Sequence, residues 1–263
     1  MNKVNISVIT VVLNDVKNIE KTILSVVNQK SNSFEYLIID GGSNDGTKEV
    51  IQKYRDKINL IISEPDKGLY DAMNKGLKFA RGEWIFYLNS SDEFLQNTVL
   101  SCVEKSLSKE NDVVHFNCKV ENSKGKEVYV RQYPADISEI KRWPCIQHQS
   151  SFTKRKEMIK LKGFDLKYSI LSDYDLFLRL YKSSKKFKFF KDIYISKYNS
   201  EGVSSDTKNI KILQRELRII QKKHLGFFSI SMQLQLTVKS FFQILPFSYH
   251  LGSFVRRLLF AKR

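Results

Sequence analysis

Short apolar runs alternate with stretches of helical length through the first 117 residues. The apolar runs, rich in Val, Ile and Phe, occupy residues 6–12, 34–40, 58–63, 84–88 and 113–117. Between them, the helix-like stretches occupy residues 18–29, 47–54, 69–80 and 97–107. Continuous apolar strands are typical of parallel sheets covered on both faces. The alternating order therefore predicts an α/β chain with a right-handed, doubly wound sheet.

The alternation of apolar runs and helix-like stretches ends after residue 117. Residues 119–122 and 127–132 flank a Ser-Lys-Gly turn and predict a hairpin added to the sheet. Residues 174–182 have helical spacing, and residues 186–190 and 193–198 predict two short strands. Neither a repeat nor a low-complexity linker interrupts this part, so we expect one domain over residues 1–204, with halves 1–117 and 118–204. Residues 205–263 form a separate tail.

The tail holds much of the chain's positive charge. Of a net charge of +16, residues 205–263 contribute +9, from 11 Lys/Arg and two Asp/Glu. Such a surplus indicates an anionic partner such as nucleic acid, phospholipid or a phosphorylated substrate. The low-charge stretch 225–255 favours helix by its length, but its uncharged run is shorter than the roughly 20 residues that span a bilayer. We predict a basic amphipathic helical tail on an anionic membrane, its apolar side formed by Phe227, Phe228, Phe241 and Phe242; the alternative is a tail packed on the catalytic domain.

The cysteines and the chain start indicate a cytoplasmic protein. Cys102, Cys118 and Cys145 are odd in number and lack CxxC spacing, which argues against a disulfide framework and a zinc cluster. The first residues lead into a strand-like run without the pattern of a secretion signal.

Polar residues at strand ends are the candidate ligand contacts, because open parallel sheets bind ligands there. The first run ends in Thr-Val-Val-Leu-Asn-Asp (10–15) without the glycines of a dinucleotide loop, and the chain has no Walker phosphate loop. The second ends in Asp-Gly-Gly-Ser-Asn-Asp-Gly-Thr (40–47), where Asp40 either faces the ligand or, like Asp45, satisfies turn amides. The fourth ends in Leu-Asn-Ser-Ser-Asp-Glu (88–93), whose acids either bind a divalent cation or cap the next helix.

Five ordered segments resemble family-2 glycosyltransferases, above all bacterial exopolysaccharide and O-antigen enzymes. They are residues 6–14, 40–47, Gly-Leu-Tyr-Asp-Ala-Met-Asn-Lys-Gly (68–76), 88–94 and Ser-Asp-Tyr-Asp-Leu-Phe-Leu-Arg-Leu (172–180). The resemblance spans residues 4 to about 204 and excludes the tail. It implies a GT-A-like, Rossmann-type open mixed sheet flanked by helices, together with a Mn²⁺ or Mg²⁺ cofactor.

The resemblance also implies roles for individual residues. The donor-binding set is Thr10, Val12, Asn14, Asp40, Asp71, Asn89, Ser91 and Asp92. The catalytic base is Asp173, and the acceptor-side set is His148, Gln149 and Asp175.

The metal motif departs from the family pattern. The family has Asp-X-Asp where this chain has Asn89, Ser90 and Ser91, and Asp92 comes one position late. Either Asp92 is the metal ligand, or metal binding is weak, or a neighbouring cation replaces the metal.

Structural alternatives exist for three of the site residues. His148 is otherwise a structural histidine, Asp71 a first-turn acid stabilised by the helix dipole, and Asp173 an N-cap. Asp173 is preferred to Asp175 as the base because Asp175 is placed to pair with Arg179 at i,i+4.

The sequence thus predicts an inverting enzyme that moves a sugar from a nucleoside-diphosphate donor, a UDP-sugar, to a hydroxyl of a bacterial cell-surface glycan or lipid-linked precursor. We expect it at the inner face of the plasma membrane and without a nucleic-acid partner. A nucleic-acid-binding protein would explain the charge but not the acidic strand ends. A sugar nucleotidyltransferase would require a basic, glycine-rich loop after the first strand, which is absent.

Overall fold

The computed structural model describes residues 5–121, 127–131, 134, 136–199 and 207–229. The chain divides into two compact units, Met1–Glu201 and Gly202–Arg263. The turn of the predicted hairpin and the tail beyond residue 229 lie outside the described residues.

A nine-stranded sheet forms the centre of the first unit, as far as its residues are described. The strands are β1 Ile6–Val12, β2 Phe34–Asp40, β3 Leu60–Ser63, β4 Trp84–Tyr87, β5 Glu93–Phe94, β6 Val113–Glu121, β7 Glu127–Arg131, β8 Ser151–Lys154 and β9 Phe187–Asn199. Their order is β3-β2-β1-β4-β8-β6-β9-β5, with β7 paired to β6. β1 to β4 are parallel, β8 is antiparallel to β4 and β6, and β5 is antiparallel to β9.

Helices connect and cover the strands. The described α-helices of the first unit are α1 Ile19–Val27, α2 Thr47–Gln52, α3 Leu69–Phe79, α4 Val99–Glu104, α5 Arg155–Lys160 and α6 Ser172–Lys182. Short 3₁₀ turns lie at Arg55–Lys57, Ile137–Lys141 and His148–Ser150. Strands β1 and β4 are buried along their whole length, as continuous apolar runs predict.

The strand order reverses at β1. The chain proceeds from β1 outward through β2 to β3 and then returns to pair β4 on the other side of β1. Such a reversal opens a crevice at the carboxyl ends of the two strands on either side of it. The ends of β1, β2 and β4 therefore meet at one edge of the sheet, where the sequence placed its candidate residues.

The second half differs in detail from the sequence-based expectation. The hairpin is present, since β6 and β7 pair antiparallel. The two short strands predicted at 186–190 and 193–198 are one strand, β9, which pairs in parallel along β6. The register shifts between Phe116 and Asn117, and the Asn117 amide donates to the carbonyl of Lys191 in the resulting bulge. The short elements β5, β8 and α5 were not predicted from the sequence.

A buried carboxylate, Glu35, lies at the opposite edge of the sheet, where β1, β2 and β4 begin. It accepts hydrogen bonds from Ser7 Oγ (2.6 Å), from Arg81 Nε (2.8 Å) and from the backbone N–H groups of Arg81 and Gly82. Burial raises the pKa of Glu35, but these hydrogen bonds outweigh it and hold the pKa below its usual value. The polar cluster thus joins the starts of β1, β2 and β4.

The described part of the second unit consists of a 3₁₀ turn, Thr207–Asn209, and the α-helix α7 Ile210–Leu225, which ends at Gly226 with φ 78°. Ile210, Leu217 and Ile220 are buried. Its exposed side chains are Lys211, Ile212, Arg215, Arg218, Ile219, Lys222 and Lys223. Phe227 is exposed, whereas the ring of Phe228 lies 4.8 Å below the Arg218 guanidinium. None of the described helices has the length and apolar content to cross a membrane.

Candidate active site

Asp15, which follows β1, contacts the segment after β4 and the start of α2. Its Oδ2 accepts hydrogen bonds from Ser90 Oγ (2.5 Å) and Ser91 Oγ (2.8 Å), which follow β4. Its backbone N–H donates to Thr47 Oγ1 (2.9 Å) at the start of α2. Asp15 was not among the predicted residues, although it directly follows Asn14 in the polar run after β1. It orients the loop that contains the metal-motif positions.

The segment 10–14 faces the crevice only at its end. Thr10 is fully buried and donates to the carbonyl of Leu88 at 2.7 Å, so its hydroxyl joins β1 to β4. Val12 is also buried. Leu13 and Asn14 are exposed, and Asn14 has a left-handed backbone with φ 51°. The donor contacts proposed for Thr10 and Val12 would therefore have to be indirect, through the strand end that they support.

Asp40 is fully buried and hydrogen-bonded within its own turn. Oδ1 accepts from Ser43 Oγ (2.5 Å) and Ser43 N (3.1 Å), and Oδ2 accepts from Ser63 Oγ (2.6 Å) at the end of β3. The turn contacts that the sequence offered as one alternative are present, and the donor contact of Asp40 stays a prediction. Asp40 shapes the residues that follow β2.

A second carboxylate, Asp66, lies at the same strand end. A Cβ atom added to Gly41 would lie 2.4 Å from Asp66 Oδ2, so the glycine leaves room for this side chain. Asp66 Oδ1 accepts a hydrogen bond from Gly68 N at 2.8 Å. Asp66 was not predicted as a site residue, because it lies in the loop between β3 and α3 rather than directly after a strand.

Asp92 and Asn89 each have a buried side-chain oxygen that accepts no hydrogen bond from the described residues. Among the described residues, none donates a hydrogen bond to Asp92 Oδ2 or to Asn89 Oδ1, although both atoms are buried. Burial raises the pKa of the Asp92 carboxyl well above its usual range, and the neighbouring Asp15 and Glu93 carboxylates act in the same direction. A bound cation would reverse this effect by stabilising the carboxylate.

The residues fit a cation that is shared with a phosphate ligand. In the described part of the chain, no three His, Cys, Asp or Glu side chains lie together as a metal site. Mg²⁺, however, is commonly held by one or two carboxylates together with substrate phosphates. Asp92, with its unpartnered oxygen, would supply the protein carboxylate, and the cation would neutralise charge on a departing diphosphate.

Asp173 lies beside His148. Asp173 is the second residue of α6, and the N-cap position is Leu171, so Asp173 is not the N-cap residue itself. Its Oδ1 still accepts a hydrogen bond from the backbone N–H of Tyr174 at 2.8 Å, a local contact within the first turn. Its Oδ2 lies 3.2 Å from His148 Nδ1, and its Oδ1 lies 3.2 Å from Tyr70 OH. On its other side, His148 Nε2 lies 3.0 Å from Asn89 Nδ2. The fold thus brings three predicted residues together, and adds Tyr70 from α3.

The remaining predicted residues have structural contacts. Asp175 is fully buried and pairs with Arg179 at 2.7 Å, which confirms the expected i,i+4 pair. Asp71 Oδ2 accepts from Lys67 N at 3.0 Å, the contact of a first-turn acid. Gln149 is half-buried, and its carbonyl accepts a hydrogen bond from Ser196 Oγ.

The fold matches solved glycosyltransferase structures. S. aureus TarS aligns with a TM-score of 0.67 and 18% identity over 94% of this chain and 45% of that chain. TarS 1–349 in complex with UDP-GlcNAc aligns with a TM-score of 0.65 and 17% identity, covering 94% and 74%. A mannosyltransferase from Pyrobaculum calidifontis in complex with GDP-Man and Mn²⁺ aligns with a TM-score of 0.62 and 16% identity. This alignment covers 82% of this chain and 63% of the mannosyltransferase. The first unit therefore has the GT-A fold, as predicted.

The sequence comparisons define the family. The model of glycosyl transferase family 2 matches residues 7–171, and the chain belongs to this family. An uncharacterised glycosyltransferase of Mycobacterium tuberculosis is 29% identical over 177 residues, 66% of this chain and 68% of that relative. A PGL/p-HBAD biosynthesis glycosyltransferase of Mycobacterium bovis is 25% identical over 188 residues, covering 70% and 72%. The protein is a glycosyltransferase, which leaves the nucleotidyltransferase and nucleic-acid-binding alternatives without support.

Proposed function

We propose that the enzyme moves a sugar from a UDP-sugar to a hydroxyl of a bacterial cell-surface glycan or lipid-linked precursor, with inversion at the anomeric carbon. The observation that carries this proposal is the contact of Asp173 with His148, and of His148 with Asn89 at the end of β4. The carboxylate of Asp173 is therefore connected, through His148, to Asn89, which follows β4 at one of the strand ends that would bind the donor.

The chemistry follows from this arrangement as a single displacement. Asp173 accepts the proton of the acceptor hydroxyl while that oxygen attacks the anomeric carbon. The bond from the anomeric carbon to the diphosphate breaks, and the diphosphate leaves with the electron pair. Attack from the face opposite the leaving group inverts the configuration.

Two observations support the donor and cation assignments. TarS, which shares the fold, has been crystallised with UDP and with UDP-GlcNAc, and the Pyrobaculum enzyme with Mn²⁺. In this chain, the unpartnered oxygens of Asn89 and Asp92 lie on the segment after β4, which favours a Mn²⁺ or Mg²⁺ ion held by Asp92 and the diphosphate.

We also propose that the enzyme works in the cytoplasm, at the inner face of the plasma membrane, through residues 205–263. The exposed side chains of α7 include five cations and two isoleucines, and its Glu216 is buried. Cations attract anionic head groups, and exposed apolar side chains insert between them. This would bring the active site to lipid-linked acceptors.

A thermal-shift panel of nucleotides and nucleotide sugars, with and without Mn²⁺, tests the donor and the cation. Ligands that bind the folded state raise the melting temperature, by an amount that grows with concentration over Kd. We expect UDP and UDP-sugars to raise it more than the other nucleotides do, and more strongly with Mn²⁺. The Asp92→Asn variant should lose the Mn²⁺ increment. Equal shifts for all nucleotides, or an unchanged Mn²⁺ increment in Asp92→Asn, would contradict the corresponding assignment.

A further inference from the structure

We propose that His148 is a positioning residue that holds the carboxylate of Asp173 in place for proton transfer. The inference rests on the proposed role of Asp173 as the base. His148 is buried, with 8% of its surface exposed, at the point where the 3₁₀ turn His148–Ser150 passes between the end of β4 and the start of α6. Its two ring nitrogens contact one residue on each side, Asn89 and Asp173.

The contacts define which nitrogen of His148 holds the proton. The Asn89 nitrogen that faces Nε2 at 3.0 Å is an amide donor, so Nε2 accepts. Nδ1 then has the hydrogen of the neutral ring and donates it to Asp173 Oδ2 at 3.2 Å. Asn89 therefore sets the tautomer, and the tautomer sets the hydrogen bond to the base.

Tyr70 does not replace this contact. Its hydroxyl has one hydrogen, and its shorter contact is 2.7 Å to the carbonyl of Ile170, against 3.2 Å to Asp173 Oδ1. His148 is thus the side chain that orients the second oxygen of Asp173. A misplacement of a catalytic group by about 1 Å reduces turnover on the order of a hundredfold.

Variants of His148 separate positioning from packing. The Nδ2 of an asparagine at position 148 would lie near the place of Nδ1, whereas a glutamine mimics Nε2. With the UDP-sugar identified by the thermal-shift panel, and UDP release as the readout, we expect His148→Ala to lower kcat about a hundredfold with donor KM nearly unchanged. His148→Asn should recover part of kcat, and His148→Gln should not. Equal activity in all three variants, or a loss confined to KM, would overturn the proposal.

A double-mutant cycle tests whether the two side chains act as a unit. In the Asp173→Asn background, His148→Ala should lower kcat by less than threefold, because the oriented base is already absent. An undiminished hundredfold effect in that background would show that His148 acts separately. If the wild-type enzyme releases UDP from no UDP-sugar, the proposed function fails, and the following measurement tests the contact without activity.

Nitrogen-15 NMR of the histidine rings reads the tautomer directly. We expect a neutral ring with the hydrogen on Nδ1 for His148 at pH 7.5, assigned by its loss in His148→Gln. Asp173→Asn should shift this signal, whereas Asp175→Asn should not. The chain has four histidines, so His224→Gln provides a matched control that leaves the signal in place. A ring with its hydrogen on Nε2, or a signal insensitive to Asp173→Asn, would overturn the proposal.

Discussion

Asp173 and Asp175 lie two residues apart on α6 and have opposite environments. The Asp173 side chain is 17% exposed and contacts His148, whereas Asp175 is fully buried against Arg179. Arg179 also donates to the carbonyls of Leu161 and Gly163, so Asp175 is part of a structural network. Of the two carboxylates, only that of Asp173 is partly exposed, which favours Asp173 as the proposed base.

We predict that Asp173→Asn lowers turnover at least a hundredfold, the lower end for loss of a general base, with nearly unchanged melting temperature and donor affinity. Asp175→Asn is the matched variant. It should lower the free energy of unfolding by about 3 kcal/mol, because Arg179 is left without its buried partner. Turnover by UDP release and thermal melts of both variants are the measurements. An Asp173→Asn enzyme that keeps most of its turnover would show that Asp173 is not the base.

At the scale of elements, α3 supports the segment that leads into α6. The amide of Asn74 donates to the carbonyl of Phe164 and accepts from its N–H, both at 2.9 Å. One turn earlier, Tyr70 contacts Ile170 and Asp173. Gly163 has φ 64°, and a Cβ there would lie 2.3 Å from Asn74 Oδ1. Residues of the 68–76 motif thus position the segment that precedes α6.

We predict that Asn74→Ala lowers the free energy of unfolding by about 1–3 kcal/mol, since it removes both partners of the Phe164 backbone. It should also reduce kcat, because the segment before Asp173 loses its support. Urea unfolding and UDP release measure the two effects. Gln52→Ala, an exposed change at the end of α2, is the control and should alter neither. Wild-type stability in Asn74→Ala would show that the segment is held by other contacts.

At the scale of the whole molecule, the charge is unevenly distributed between the two units. The described cations of α7 lie on exposed positions, and each Lys or Arg near an anionic surface contributes about 1 kcal/mol of attraction. The effect is screened by salt within about 10 Å at 0.1 M ionic strength. Binding to vesicles should therefore depend on lipid charge and on salt.

We predict that the full-length protein floats with vesicles that contain anionic lipid, and not with zwitterionic vesicles at the same salt. Replacing Lys211, Arg215, Arg218 and Lys222 with Gln should abolish flotation, because it removes four attractions. A control variant with the same number of Gln substitutions in the first unit should still float. Its substitutions replace four exposed lysines, Lys21, Lys53, Lys57 and Lys105. A wild-type protein that stays in the soluble fraction on anionic vesicles would support a tail packed on the catalytic domain.

The sequence by itself determined the order of elements in the first half and the edge of the sheet at which the candidate site residues lie. Side-chain periodicity is a local property, so strands such as β1 and helices such as α3 follow from residues within one window. Pairing along β9 was misjudged because the bulge depends on β6, a strand more than 70 residues earlier.

Only the tertiary structure decided what each polar side chain touches. Asp40 and Asp173 both looked like ligand contacts or local turn and cap formers, yet Asp40 is enclosed by Ser43 and Ser63, whereas Asp173 stays accessible beside His148. Asn89 reaches His148 across 59 residues, and Tyr70 reaches Asp173 across 103. Such contacts depend on how the chain crosses the sheet and not on local spacing, and a hydrogen bond forms only where the fold brings donor and acceptor within about 3 Å.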